Sequence, residues 1–412
     1  MRRVAVTGIG VVSSLGHSAQ DVFESARAGR SGIRRLDIAN AHRLTAPLAA
    51  TVQFDGADHF EPPQQRLLDR VSQFAVVAAR RAFADAQCEL TDRERERTGV
   101  FLGNGMGGTL SMDDGYQTLY GQQSDRIKPM LILQGMHNAP AAWIAIEHQL
   151  RGPTLTYSTA CSSASVAIGE AWLRLACGAL DVAIAGGSEA PLSLGSLKAW
   201  AAMHTLADLD ETDPAASCKP FAKNRSGMVL GEGAALIVLE SWDRALARGA
   251  VIHGEIMGYG LTTDACHITR PTVVGQAAAI RAALDCAGLG VDEVDSINAH
   301  GTGTHANDCV ETEAIKLVFG KRANQIPISA TKAVHGHLLG AAGALECVLS
   351  VLALRHNVAL PTMHLYESDP QCDLDYVANV ARPDAAGQTM LSHSFAFGGT
   401  NAVLALRATS YN

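Results

Sequence analysis

The chain has 412 residues, 47% of them hydrophobic and 18% charged, with a formal net charge of −8; this is enough apolar material for a large core, at a length suited to two or three domain-sized units. The acidic balance, without any basic run, argues against nucleic acid as a partner. Nine scattered cysteines without CxxC spacing suit reduced thiols in a cytoplasmic protein rather than a disulfide framework or a zinc site, and no apolar segment reads as a membrane span, so neither a metal nor a membrane is expected.

Arg2 and Arg3 precede an apolar stretch, as in a secretory signal, but the stretch is short and broken by Gly8 and Gly10. Residues 4–6 therefore read as a first strand. Residues 71–86 are helical by pattern and 100–102 form a strand. The next turn, Gly103-Asn104-Gly105-Met106-Gly107-Gly108, formally matches GxGxxG. Dinucleotide chemistry also needs the first βα unit and an acidic ribose ligand at the next strand end, so no nicotinamide cofactor is expected. Residues 155–157 read as a strand, 166–175 as an amphipathic helix, and 182–185 and 235–239 as further strands. A second, shorter series starts near Ile252, with helices at 275–287 and 345–355 and strands at 296–297, 326–328 and 402–406. Strands alternating with helices are the pattern of a layered α/β protein.

Cys161 lies where the 155–157 strand passes into the 166–175 helix, in Thr159-Ala160-Cys161-Ser162-Ser163. A helix N-terminus offers free backbone N–H groups and a partial positive charge, which favour a thiolate and can hold an oxyanion. The alternative is a buried structural thiol. Two distant segments, Asn298-Ala299-His300-Gly301-Thr302-Gly303-Thr304 and Thr331 to Glu346 with His335 and His337, each place a histidine where a strand ends and a Gly-rich turn begins. A cysteine with two such histidines is a constellation for nucleophilic catalysis.

Together with Val4-Ala5-Val6-Thr7-Gly8-Ile9-Gly10, Ala185-Gly186-Gly187-Ser188-Glu189, Val229-Leu230-Gly231-Glu232-Gly233-Ala234 and Phe395-Ala396-Phe397-Gly398-Gly399-Thr400-Asn401, these segments resemble the β-ketoacyl-acyl carrier protein synthase family, elongating class I/II type, in the thiolase superfamily. The resemblance implies an α/β chain with the thiolase-like duplicated five-layer αβαβα fold, its halves at 1–249 (nucleophile Cys161) and 250–412 (catalytic histidines). It implies a decarboxylative Claisen condensation of an acyl group on Cys161 with malonyl-acyl carrier protein. Backbone N–H groups of Cys161 and Phe397 would form the oxyanion hole, and His300 and His337 would donate to the enolate. Lys332 would be buried beside them and paired with Glu346, Asp308 and Glu311 would organise the loop after His300, and Thr302, Thr304, Phe395 and Met106 would meet the pantetheine arm and acyl chain. His335 is read as a bystander. No resident cofactor is implied, because phosphopantetheine arrives on the acyl carrier protein. A homodimer is expected. The alternatives are a heterodimer with a chain-length-factor-type subunit and, less in keeping with the C-terminal motif, a thiolase-type acyltransferase.

The chain departs from the family pattern at Ala222, Met228, Cys266 and His393, which puts substrate preference and gating in question rather than reaction type. Arg66, Arg126 and Lys128 are the expected carrier-docking residues, with Arg70 nearby. Leu67 and His204 stand where relatives tend to be basic, and Asp208-Leu209-Asp210-Glu211-Thr212-Asp213 is acidic. That run reads either as a solvated loop or as a sign of a dedicated, less acidic carrier.

Overall fold

The computed structural model describes residues 1–409. The first strand, β1 (Val4–Ser13), is buried along its whole length. Gly8 and Gly10 let a helix lie directly on it: a Cβ at either position would stand 2.2 Å from Ala82 O or 1.9 Å from Ala78 O of α1 (Arg70–Ala86). Asp69 caps α1 by accepting from Val71 N–H, as expected of a short acidic side chain at a helix start. The first half continues with β2 (Thr98–Gly103), α2 (Ala139–His148), β3 (Thr154–Tyr157), α3 (Ser163–Ala176), β4 (Val182–Glu189) and β5 (Gly233–Ser241).

The second half comprises β6 (Gly254–Thr263), α4 (Val273–Ala287), β7 (Ser296–Asn298), α5 (His305–Phe319), β8 (Ile328–Ser329), α6 (Ala342–His356), β9 (Thr389–Phe395) and β10 (Thr400–Arg407). The strand order is β1-β5-β4-β2-β3 in the first half and β6-β10-β9-β7-β8 in the second. In each half the fifth strand runs antiparallel between the first and fourth, and the others pair in parallel. The duplication that no residue repeat betrays is thus explicit in the topology. The two arrays meet where β1 pairs with β6, Val4 opposite Ile256 and Val6 opposite Gly254.

Three apolar cores mark the layer boundaries. One lies between the first array and α1 with α2, one between the second array and α4 with α5, and the largest surrounds α3 and α6, which are sandwiched between the arrays. On β4, Val182 and Ile184 face the outer helices and Ala183 and Ala185 face the middle ones; the period-two alternation feeds two cores at once. The layering is the thiolase-like αβαβα fold.

Two expectations from the sequence need correction. The run Leu339–His356 does reach a length and apolarity able to cross a membrane, but 89% of it is buried inside the protein, as the middle-layer helix. The strand β9, central to the second array, was not anticipated, and the strand expected at 326–328 is shifted to Ile328–Ser329.

Candidate active site

The ends of β3, β7, β8 and β9 bring the chemistry together, as the C-terminal edges of parallel strands commonly do. After β3 the chain turns through Ala160, whose φ of +51° is left-handed for a residue with a Cβ. Ser163 Oγ donates to Ala160 O at 2.6 Å and accepts from Thr159 N–H at 2.9 Å, so the Ser/Thr run stitches the turn that presents Cys161. The cysteine is 5% exposed, in a 3-10 turn directly ahead of α3.

Cys161 Sγ and one ring nitrogen each of His300 and His337 lie within 4.8 Å of one another. The two imidazoles meet edge to face, centroids 5.5 Å apart. His337 Nδ1 accepts from Leu339 N–H at 3.1 Å, which leaves the ring proton on Nε2, a buried atom without a partner among the described residues. His300 is fixed in the same tautomer: Lys332 Nζ stands 3.2 Å from its Nδ1, 2.6 Å from its carbonyl oxygen, and in an ion pair with Glu346. Burial, then the Lys332 charge, holds both imidazoles well below the ordinary histidine range. The site therefore holds two neutral Nε2–H donors beside a thiol.

The thiol itself corrects the expectation of a ready thiolate. Burial pushes Cys161 up to about 11, outweighing Lys332 and the N–H groups of Phe397 and Cys161 that approach the sulfur. Desolvation of a full charge defeats the partial charge of a helix end. Those same two N–H groups converge on the nucleophile, as an oxyanion hole requires.

Glu311 and Asp308 brace the His300 loop. Glu311 accepts from the N–H of His300 at 2.8 Å and of Gly301 at 2.9 Å, and from His393 Nδ1 at 3.1 Å. Burial would raise this carboxyl, but the His393 and backbone donors win and hold it low. Asp308 accepts from Phe221 N–H at 2.8 Å and Gly303 N–H at 3.3 Å and pairs with Arg225, both side chains fully buried. Burial raises it to about 6. Glu346 is raised to about 7, burial exceeding the effect of Lys332. His335 is wholly buried, bonded through Nε2 to Thr331 Oγ1 at 3.0 Å and outside the catalytic cavity.

A narrow cavity of about 60 Å³ reaches Cys161. Thr302, Thr304, Phe395, Phe397 and Met228 line it, and so do residues 267–271 of the loop containing Cys266. Thr302 and Thr304 bond hydroxyl to hydroxyl at 2.8 Å, and Thr304 also caps α5. Met106 does not itself line this cavity; it packs against the apolar cluster of Leu230, Leu339 and Met228, the last of which does line it. The Phe397 ring stacks on Trp200 at 6.2 Å, and the following turn is tied to the 267–271 loop by Gly398 N–H donating to Ile268 O at 2.7 Å. Ala396 N–H donates to Thr400 O at 3.1 Å and its carbonyl accepts from Gly399 N–H at 3.0 Å within this turn, where a Cβ narrows the backbone freedom that a glycine would have. Ala396→Gly is expected to speed acylation by long chains about two- to five-fold over short ones, the equivalent of the ~0.5–1 kcal/mol by which Gly and Ala differ in backbone freedom. Time-resolved intact mass of the acyl-enzyme measures it, and equal rates across chain lengths would remove Phe397 as a gate.

Two features escaped sequence reasoning. Glu189 fills the turn that mimics a dinucleotide fingerprint, accepting from the N–H groups of Gly105, Met106 and Gly340 at 2.8, 3.1 and 3.0 Å. The backbone donors a phosphate would use are already taken. Its signal was the carboxylate ending Ala185-Gly186-Gly187-Ser188-Glu189. Trp200 carried none. Of the docking residues, Arg66 and Lys128 line one groove with Arg70, whereas Arg126 lies outside it. Lys128 is paired with Asp114 at 2.8 Å and Arg70 with Glu232 at 2.8 Å. In the acidic run, Asp210 and Asp213 accept backbone N–H groups of their own turn and Glu211 pairs with Arg35, which gives most of these charges a local structural use.

Residues 1–245 match the N-terminal domain of beta-ketoacyl synthases and residues 253–366 the C-terminal domain. The chain is 43% identical over 406 residues to Nodulation protein E of Rhizobium sp. (strain N33), covering 98% of this chain and 99% of that one. It is 40% identical over 411 residues to 3-oxoacyl-[acyl-carrier-protein] synthase 2 of Coxiella burnetii (strain RSA 493 / Nine Mile phase I), covering 98% of each. Among solved structures, the ishigamide ketosynthase/chain length factor superposes with a TM-score of 0.91 at 35% identity, over 99% of this chain and 100% of that one.

Proposed function

The chain belongs to the β-ketoacyl synthase family, and from that membership we infer how its own residues divide the reaction. The enzyme is a ketosynthase: it condenses an acyl group with malonyl-acyl carrier protein in fatty-acid or polyketide synthesis, releasing 3-oxoacyl-acyl carrier protein and CO2. Cys161 Sγ attacks the acyl thioester, the Cys161 and Phe397 N–H groups receive the oxyanion, and the thiol proton leaves with the pantetheine sulfur. Malonyl-carrier then loses CO2, and its enolate oxygen accepts from the Nε2–H groups of His300 and His337. The enolate carbon attacks the acyl carbonyl, the C–S bond to Cys161 breaks, and the sulfur regains a proton from water. Two neutral donors suit this role because they stabilise a developing oxyanion without first giving up a charge. The observation that carries the reading is the pair of Nε2–H imidazoles beside the buried thiol.

The substrate arm enters past Thr302 and Thr304 as phosphopantetheine borne on the carrier, so no resident cofactor is proposed. We take the enzyme to work in the cytoplasm, with its nine cysteines free. A dimer, the homodimer first and a chain-length-factor heterodimer as the alternative, is proposed because the strand β3 ends the sheet and Leu155 on it is an exposed apolar residue. A dedicated carrier with a less acidic docking helix is the proposed partner, because Lys128 and Arg70 already hold carboxylates. Intact-protein mass after incubation with acyl-carriers of varied chain length should show one acyl adduct, absent in Cys161→Ala. An adduct that persists in that variant would sink the assignment. A housekeeping carrier that gives equal or better kcat/KM at low salt would sink the dedicated partner alone.

A further inference from the structure

Outside the catalytic cavity, two thiols meet under an arginine. Cys309 is on α5, just after Asp308, and Cys372 follows the exposed segment 366–368. Cys309 Sγ, Cys372 Sγ and an Asp369 carboxylate oxygen lie within 4.8 Å of one another. Cys309 is half-buried and Cys372 buried. Arg225 organises the group: Nη2 donates to Cys309 Sγ at 3.1 Å, Nη1 to Asp369 at 2.6 Å and Nε to Thr304 O at 3.3 Å, and the guanidinium pairs with Asp308. The same side chain therefore holds the Thr304–Asp308 segment of the catalytic loop and touches a reachable cysteine.

The attacking form of a cysteine is its thiolate, and Cys309, half-buried with Sγ 3.1 Å from Gln371 Oε1, is the more accessible thiol of the two. Cys372 is the opposite case, pushed up to about 12 chiefly by burial. The spacing would also suit a metal ion. However, Arg225 already donates to a sulfur and a carboxylate that such an ion would need, and a cation there would stand against that buried guanidinium.

We propose that Cys309 and Cys372 are a hydroperoxide-sensitive dithiol, and that closing it to a disulfide shifts the Arg225 anchor of the catalytic loop and slows condensation. The Cys309 thiolate attacks one peroxide oxygen, the O–O bond breaks and an alcohol or water departs, leaving a sulfenic acid. Cys372 sulfur then displaces the hydroxyl, which takes the Cys372 proton and leaves as water while the S–S bond forms. Two thiols lose two electrons and two protons, and the hydroperoxide is reduced to alcohol and water. A bonded pair stands at about 2 Å, so closure requires movement of the loop bearing Cys372. Its neighbours Pro370 and Gln371 are exposed, and the bonds that closure must break are Cys309 Sγ to Gln371 Oε1 at 3.1 Å, Gln371 N–H to Asp369 Oδ1 at 2.9 Å and Cys372 N–H to Asp369 O at 2.7 Å.

The linkage is tested in the Cys161→Ala protein, where the nucleophile cannot interfere. Hydrogen peroxide, alkylation and peptide mass mapping should yield a Cys309–Cys372 pair that disappears with dithiothreitol and in a Cys309→Ser variant, with Cys372→Ala as the second variant should the first misfold. Both thiols alkylating freely after peroxide, Cys309 joined to a different cysteine, or stoichiometric zinc retained in place of the linkage would each overturn the proposal. The consequence is read in the otherwise native protein with Cys161 masked as its acyl thioester: peroxide, then catalase, then malonyl-carrier. Single-turnover condensation should fall by about tenfold or more, as small misplacements of reacting groups do, and recover on reduction. No fall, or an equal fall in Cys309→Ser, contradicts it. The mapping result does not depend on the reaction assigned to the cavity.

Discussion

His337→Ala is expected to take up an acyl group on Cys161 at near-normal rate yet lose condensation by about two to three orders of magnitude, the cost of one oxyanion donor. Cys161→Ala is expected to do the reverse, abolishing acyl transfer while retaining malonyl decarboxylation. The asymmetry follows from the separate seats of the two half-reactions. Acylation draws on the sulfur and the N–H groups of Cys161 and Phe397, none of which His337 touches through a hydrogen bond. Decarboxylation draws on the ring whose Nδ1 is occupied by Leu339 N–H and whose Nε2 is unpartnered. Intact mass follows the first step and release of labelled CO2 the second. Normal condensation by either variant would remove the assigned roles.

The catalytic set was legible because its members sit in short motifs at strand ends, where residue type and local turn chemistry coincide. Cys161, His300, His337, Lys332 and Glu346 lie together in the structure; the residues pointed to the cysteine and the histidines, and the resemblance alone to the lysine and its glutamate. What could not be read from the sequence were quantities set by the rest of the fold. The helix end at Cys161 was visible, but not the burial that outweighs it. The strand β9 was hidden because Ser392, His393 and Ser394 are polar and fully or nearly fully buried, whereas apolar alternation is what marks a strand. His393 is spent on Glu311 across the layer, a contact 82 residues away in the chain. Arg225, which ties Asp369 to Asp308, is likewise a long-range solution with no local signature, and the motif ending in Glu189 is visible in the chain but not its contact with the Gly-rich turn 83 and 84 residues away.

Lys332→Met is expected to cost both stability and turnover, and the two losses should separate. Lys332 supplies a charge to buried Glu346 and a donor to His300 Nδ1. Removing one partner of a buried pair leaves the other uncompensated, at a cost of about 3–5 kcal/mol. In the double variant Lys332→Met/Glu346→Leu the stranded charge is gone, and stability should return to within about 1–2 kcal/mol of the wild type. Condensation should not return, because the donor that fixes the His300 tautomer is still missing. The sign with pH is set by Glu346, already raised to about 7 by burial despite Lys332 and raised further without it. A carboxyl whose folded pKa lies above its unfolded value favours the folded state at low pH, and that contribution is lost as pH rises through the folded pKa. The deficit of Lys332→Met should therefore be smallest at about pH 5 and grow through pH 7 to 8. Denaturant melts at those pH values, beside single-turnover condensation, provide the readings. A double variant that regains condensation, or a single variant whose deficit shrinks as pH rises, would show that the lysine acts on packing alone rather than on the charge and tautomer of its neighbours.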